Sequence, residues 1–404
     1  KETALPFARL VGEKARTVGQ WRLYADALRS GIYTEARIDL ANVEKNKSDI
    51  RKYSIGIGPV LVFGASNFPF AFSTAGGDTA SAIAAGCPVI VKGNQGHVET
   101  STIMAEVIAA VVDDFGWTSG VFTHIIGNKV EDSEERIGAY LTAHPALKAV
   151  GFTGFFGGGT ALFDIANQCD EPTPVFAEMG SINPVFSFTY KLNQSAAVLA
   201  KEYAHSLTLG VGQFCTNPGV FIAVKSDSFD HFKEVLSTEI SNMLPAQMLN
   251  ANIYNHYIKG VDTLSSQADV SLLVQSSKDA VGGEGQPVVV HTSGINFLKN
   301  ATLSEEVFGP FAILVEASSY TEMAEIARNL KGQLTITIAV TQEDVVAHLA
   351  IFNIVKDKAG RLLFNGMPTG VEVVYGMQHG GPYPSCSDSR FTSVGPDAVK
   401  RFVR

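Results

Sequence analysis

Charge is scarce in this sequence. Asp, Glu, Lys and Arg supply 18% of its 404 residues, against 46% apolar. Disordered and coiled-coil chains carry far more charge, so the composition implies a large compact protein. Runs of Lys and Arg are absent and the net charge is −9. Nucleic acid and anionic membrane surfaces are thereby disfavoured as partners. No apolar run reaches the roughly 20 residues that span a bilayer, and no signal-peptide pattern opens the chain. There are four cysteines (Cys87, Cys169, Cys215, Cys386) and no Cys-x-x-Cys pair. That argues against a disulfide scaffold and a zinc cluster, and it fits a reducing cytoplasm with no metal site. Repeats and low-complexity tracts are also lacking. Lys1-Glu2-Thr3 is not a translation start, so the sequence reads as a piece of a longer chain.

What is present is alternation. Residues 1–36 read as helical, with Gly31 closing them, and residues 37–56 as a polar extended arm or linker. Val60–Phe63 is an apolar run and hence a buried strand. Helix is expected at 71–85 and again through Ile103, Met104, Val107, Ile108, Val111 and Val112, with Thr100, Ser101 and Thr102 offering N-caps. Strands follow at 121–126, 148–152 and 175–177, and helices at 133–143 and 160–168. Apolar strands alternating with helices imply a parallel sheet covered on both faces. Such sheets bind ligands at the carboxyl ends of their strands. The fold class is therefore α/β, and the pattern continues as a second α/β region from Glu178 to about residue 384. Residues 275–288 read as a surface loop.

Several polar residues fall at those strand ends or in tight turns. Cys215, in Gly210-Val-Gly-Gln-Phe-Cys-Thr-Asn-Pro-Gly219, sits between a helix with an apolar face (Ala196, Leu199, Ala200, Tyr203, Ala204, Leu207) and the buried strand that follows Gly219. Gly210 ends the helix, and Pro218 keeps Asn217 out of helical geometry. Position alone leaves Cys215 either an inert core thiol or a nucleophile. Asn67 follows the first strand and reads as a helix cap, Lys92 as a solvated loop lysine and Glu178 as a surface carboxylate; each also lies where a site would be. Gly154 to Gly159 is spaced like a phosphate-binding loop. Thr160 stands where that loop needs Lys, which disfavours a Walker site. Glu305-Glu306-Val-Phe308-Gly-Pro reads as a helix cap and a turn. His379, in Gln378-His-Gly-Gly-Pro-Tyr-Pro, is either a turn histidine or a site histidine.

These runs, in this order, resemble the aldehyde dehydrogenase superfamily. Gly-Gln-Phe-Cys-Thr is similar to its nucleophile motif, and Asn67-Phe68-Pro69 to its oxyanion element. Phe-Thr-Gly154-Phe155-x-x-x-x-Thr160 resembles its pyrophosphate turn, with Phe155 where Ser is usual. Glu178-Met-Gly-Ser-Ile-Asn-Pro resembles its general-base motif, and Glu306-Val-Phe308-Gly-Pro its nicotinamide-ribose motif. The resemblance implies Cys215 as nucleophile, Asn67 as oxyanion donor and Glu178 as the base for water. It implies Lys92, Asn94, Gln95, Gly154, Gly159, Glu306 and Phe308 around a dinucleotide. Phe68, Phe214 and His379, with the loop Leu363 to Gly370 that includes Thr369, are expected at the substrate. Many members that prefer NAD carry Glu where Gln95 stands, so NADP is the expected cofactor, with NAD possible.

The same resemblance implies a Rossmann-like dinucleotide-binding domain (1–36 and 57–179) and a small oligomerisation arm (37–56). It further implies an α/β catalytic domain (180–384) and a C-terminal segment (385–404) returning toward the cofactor domain. The runs Ala-Gly-Gly-Asp-Thr-Ala-Ser-Ala and His-Gly-Gly-Pro-Tyr-Pro look like the 2-oxoglutarate semialdehyde (2,5-dioxopentanoate) subgroup and the related NADP-dependent fatty aldehyde enzymes. A small-molecule aldehyde, a cytoplasmic location and a homodimer or homotetramer of the full-length chain are expected. Two readings of other classes stand beside this one. One is a cysteine hydrolase, which would want a histidine near Cys215. The other is a catalytically impaired structural or binding relative.

Overall fold

Val60–Phe63 (β1) has no polar residue, and in the computed structural model it is the central strand of a parallel sheet. The structure describes residues 2–131, 133–368 and 370–404. Around β1 lie Val89–Lys92 (β2), Phe122–Ile125 (β3), Ala149–Thr153 (β4) and Val175–Glu178 (β5), in the order β3-β2-β1-β4-β5. All four pairings are parallel. Val60, Leu61 and Val62 are fully buried, as strands covered on both faces require. This sheet belongs to a unit made of Lys1–Met179, Glu372–Gln378 and Arg390–Arg404.

The helices of this unit differ from expectation mainly at their ends. Phe7–Ser30 (α1) closes on Gly31 at φ 68°, the left-handed C-cap that glycine adopts without strain. Helix begins only at Gly77 (Gly77–Ala84, α2), not at 71. Residues before it form a turn held by α1, with Trp21 Nε1 donating to Ala75 O at 2.9 Å. Val98–Asp114 (α3) has His97 at its N-cap position, so Thr100, Ser101 and Thr102 lie inside the helix and do not cap it. The cap comes from Glu2, whose carboxylate accepts from the backbone N–H groups of Glu99 and Thr100, each at 2.8 Å. A carboxylate there is favoured by the helix dipole. Ile137–Thr142 (α4) is shorter than expected, and Phe156–Asn167 (α5) starts four residues earlier than the expected 160. Arg37–Asp39 and Ile50–Lys52 pair antiparallel into an exposed ribbon. Near the end of the chain Arg401 Nη2 binds Asp78 Oδ1 at 2.7 Å, on α2.

A second unit comprises Gly180–Val371 and His379–Ser389. Its strands are Val185–Ser187 (β6), Val220–Val224 (β7), Ser271–Gln275 (β8), Val288–Ser293 (β9), Phe311–Ala317 (β10), Gln333–Ala339 (β11) and Ala359–Phe364 (β12). They run β8-β9-β10-β7-β6-β11-β12, parallel except for the β8–β9 pair. Thr189–Thr208 (α6) and Asp227–Asn242 (α7) cover one face through an aromatic cluster in which Phe221 and Phe232 stack at 4.2 Å. The expected surface loop at 275–288 is largely exposed, but Glu284–Gly285 within it pairs with Ala246–Gln247. Among the described residues, no helix is long and apolar enough to cross a membrane.

Candidate active site

The Cys215 loop is built by backbone that only a few residues tolerate. After α6, Gly210, Val211 and Gly212 take φ of 57°, 59° and 64° in succession. Two glycines do so freely; Val211, β-branched, is strained there. A side chain at Gly212 would run into the Gly309 backbone and the Asn217 amide. That closeness serves Asn217, whose Nδ2 donates to Leu207 O at 3.2 Å, Gly212 O at 2.6 Å and Gly309 O at 3.1 Å. Fully buried Tyr203, on α6, donates its hydroxyl to Pro218 O at 2.8 Å. From the other side Asn183, at φ 43°, donates Nδ2 to Cys215 O at 2.8 Å and Asn217 O at 3.0 Å. Its Oδ1 accepts from Thr335 N and Oγ1 on β11. The loop is thus tied to α6, β11 and the Gly309 turn at once, which fixes the cysteine in place.

Cys215 itself is half-buried, whereas Cys87 and Cys386 are buried. Its Sγ lies 3.3 Å from Nε2 of His379, a side chain only 2% exposed. The glycines after His379 explain how it arrives. Gly381 lies on the Gln333 carbonyl of β11, and Gly380 O lies where a Gly360 side chain on β12 would be. Close backbone approach is what glycine permits. His379 is thus a buried neighbour of the Cys215 sulfur, and the run that carries it is flattened against the sheet edge. Half-buried Arg361 lies on β12, and burial lowers its pKa, with the nearby Cys215 acting the other way.

Two other expected residues of this unit share a recess with Ile182 and Asn217: Glu306 and Phe308. Glu306 is half-buried, and a side chain on Gly180 would collide with its carboxyl. Burial pushes its pKa up to about 8, against a smaller lowering by the Ser181 N–H. A raised folded-state pKa means that the folded chain keeps a proton which the unfolded chain has already lost. Stability from this group therefore falls as pH rises from about 4.5 to about 8. Glu306→Gln is expected to flatten that part of the melting-temperature profile; an unchanged slope would contradict the burial argument. Phe214 is half-buried beside Gly370, 3.5 Å from where a side chain there would begin. Thr369, in the same loop, lies outside the described residues.

In the first unit the expected residues gather along the carboxyl edge of the sheet. Asn67 and Phe68 follow β1, Lys92 ends β2, Gly154 follows β4 and Glu178 ends β5. Asn67 is 8% and Glu178 5% exposed, so Glu178 is not the surface carboxylate of the bland reading. Glu178 Oε2 accepts from Ser393 Oγ at 2.6 Å, a partner 215 residues away with no local signal in sequence. Lys92 is half-buried, and burial lowers its pKa. Asn94 is engaged within the loops: Nδ2 donates to Gly64 O at 2.9 Å and Oδ1 accepts from Gly96 N at 2.8 Å. Exposed Gln95 donates to Gly127 O at 3.1 Å. Helix α5 has Phe155 at its N-cap and no side-chain cap, and no atom stands within 4 Å of where a Gly157 side chain would begin. An uncapped, glycine-lined helix start suits a phosphate group. Gly159 lets α5 approach the Met179 sulfur, where a side chain would stand 2.6 Å away.

One unit carries a half-buried cysteine beside an imidazole, and the other a parallel sheet with buried Asn and Glu at its carboxyl edge; the class of the chain is that of an oxidoreductase acting on aldehydes. The chain belongs to the aldehyde dehydrogenase family, whose pattern it matches over residues 1–403. It is 42% identical over 408 residues to alpha-ketoglutaric semialdehyde dehydrogenase of Acinetobacter baylyi, covering 100% of this chain and 76% of that one. It is 43% identical over 406 residues to alpha-ketoglutaric semialdehyde dehydrogenase 2 of Azospirillum brasilense, with the same coverage. Among solved structures it resembles succinic semialdehyde dehydrogenase from Streptococcus pyogenes in complex with NADP+. There the TM-score is 0.76 at 19% identity, over 100% of this chain and 83% of that one.

Proposed function

We propose that this chain oxidises 2,5-dioxopentanoate to 2-oxoglutarate, through a thiohemiacetal and then a thioester on Cys215. The observation that carries the reading is the 3.3 Å separation of Cys215 Sγ and His379 Nε2. A thiolate is the competent nucleophile, and His379 is placed to take the thiol proton. As the sulfur adds to the aldehyde carbon, the Asn67 amide and the Cys215 N–H bind the developing oxyanion. A neutral donor suits that task because it stabilises charge that appears only during the reaction. A nicotinamide dinucleotide, when bound, accepts the hydride. Its pyrophosphate would lie at the start of α5, Lys92 would meet its adenosine ribose, and Glu306 and Phe308 would hold the nicotinamide end. Glu178, held by Ser393, then takes a proton from the water that cleaves the thioester.

NADP is the preferred cofactor in this proposal, because Gln95 puts no carboxylate against a 2′-phosphate. Exposed Ile38, Leu40, Val43 and Ile50 on the ribbon support an arm that joins copies of the chain into a dimer or tetramer. The test is a panel of 2,5-dioxopentanoate, succinic semialdehyde and short and long alkanals, each with NAD and NADP, read by absorbance of the reduced cofactor. Highest kcat/KM for long alkanals would replace this substrate with a fatty aldehyde, and a higher kcat/KM with NAD would reverse the cofactor assignment. Asn67→Ala is expected to lower kcat by about 10²–10³; a KM effect alone would remove it from the oxyanion site. The sulfur–imidazole pair also favours a second activity, ester cleavage without nicotinamide, measurable with a chromogenic ester.

A further inference from the structure

One residue at the start of β11 is packed against both supports of the Cys215–His379 pair. In the second sheet β11 lies between β6 and β12. Its first residue, Gln333, is polar and yet only 5% exposed. Gln333 Oε1 accepts from Ser181 Oγ at 2.9 Å, from Ile182 N at 3.0 Å and from Asn183 N at 3.2 Å. Two backbone N–H groups meeting one atom identify that atom as the amide oxygen. The amide nitrogen donates to Lys331 O at 3.3 Å. The chain that leads into β6 is thus folded around a single oxygen. In that turn Asn183 takes φ 43°, a left-handed conformation that an L residue adopts only at a cost. Held so, Asn183 reaches Cys215 O through Nδ2 at 2.8 Å. The main chain of Gln333 meets the other support. Gly381 lies on its carbonyl, so closely that a side chain at 381 would overlap it. Beside it Gly332 N donates to Tyr383 O at 3.2 Å. The run that carries His379 is laid against this strand start.

We propose that Gln333 is a positioning residue for the reaction. It sets the approach of the Cys215 sulfur to the His379 imidazole, gripping Asn183 with its side chain and the His379 run with its backbone. This rests on the reading of Cys215 as the nucleophile. The sulfur and the imidazole come from positions 164 residues apart, and a contact of 3.3 Å between them needs a common reference. Gln333 supplies it, because one residue meets both segments. Loss of Oε1 would leave the N–H groups of buried Ile182 and Asn183 without an acceptor. The chain relieves that cost by relaxing the turn. Asn183 then releases Cys215 O, and the sulfur moves away from the imidazole while the His379 run stays where it is.

The experiment measures alkylation of Cys215 by iodoacetamide at neutral pH, read as the mass of its peptide, beside steady-state kinetics with 2,5-dioxopentanoate. The variants are Gln333→Met, Gln333→Asn, Asn183→Gly and the double variant Gln333→Met with Asn183→Gly. Methionine matches glutamine in length and has no oxygen. Asparagine keeps the amide one methylene short of the turn. Glycine removes the Asn183 amide and adopts the same φ without strain. Gln333→Met is expected to slow alkylation about tenfold. It should lower kcat and kcat/KM together, by about tenfold to a hundredfold, as misplacement of a reacting group does. Gln333→Asn should do the same to a smaller extent, and it carries the test if melts show Gln333→Met unfolded. Because the side chain acts through Asn183, the double variant should be within about twofold of Asn183→Gly. Additive losses overturn the inference, as does a raised KM at unchanged kcat, or wild-type alkylation in the folded Gln333 variants. Alkylation needs no substrate, so it is independent of the reaction. Slowed alkylation in the variants of a wild type that oxidises no aldehyde would support the positioning and overturn the nucleophile reading.

Discussion

Cys215→Ala is expected to abolish aldehyde-dependent reduction of the cofactor, by about 10⁴-fold or more, and cofactor-free ester cleavage with it. Both reactions begin with the same sulfur attacking a carbonyl carbon, and no other thiol can replace it. Cys87 and Cys386 are buried, and Cys169 is bound into its own helix end, 3.4 Å from Ile165 O. The fold should survive. The loop is held by Asn183, Asn217 and Tyr203 through backbone groups and not by the thiol. Removing a half-buried sulfur should change stability by about 1 kcal/mol. A melting temperature close to wild type with no turnover supports the assignment. Retained turnover in the alanine variant would mean that the nucleophile lies elsewhere. Loss of dehydrogenation with ester cleavage intact would separate the two activities and assign the second to another group.

The strands of the first sheet were legible because buried parallel strands need uninterrupted apolar residues, and Val60–Phe63 supplies them. The alternation also placed the strand ends, since Asn67, Lys92, Gly154 and Glu178 each stand at or just after the end of a strand. Helix starts were poorly legible where the cap is remote. Glu2 caps α3 from 97 residues away, so the local threonines misled. The partners that hold the functional groups were hidden for the same reason. Asn183 reaches the Cys215 carbonyl only because its backbone adopts a left-handed conformation, which Asn tolerates better than most residues. Ser393 meets Glu178 through a segment that rejoins the first unit late in the chain. His379 stayed ambiguous in sequence because glycines mark turns; that these glycines also let it approach the sheet is a tertiary fact.

Glu178→Gln is expected to leave the first hydride transfer nearly intact and to slow steady turnover by about 10²–10⁴, the usual contribution of a positioned base. The amide is close in shape to the carboxylate and still offers Ser393 Oγ an oxygen acceptor, so the hydrogen bond seen at 2.6 Å has a replacement. What the amide lacks is basicity. Addition of the thiolate and departure of hydride need no proton taken by this residue, so a burst of reduced cofactor should appear at about one equivalent per site. Cleavage of the thioester needs water made nucleophilic, and there the variant should stall. The stalled enzyme should carry the acyl group on Cys215, visible as a mass increase on the peptide that contains it. A burst followed by a slow phase, with the acylated peptide present, establishes the division of labour. An unchanged steady rate removes Glu178 from the mechanism. Loss of the burst along with the slow phase would instead place it in the first half-reaction, where it would act on the thiol.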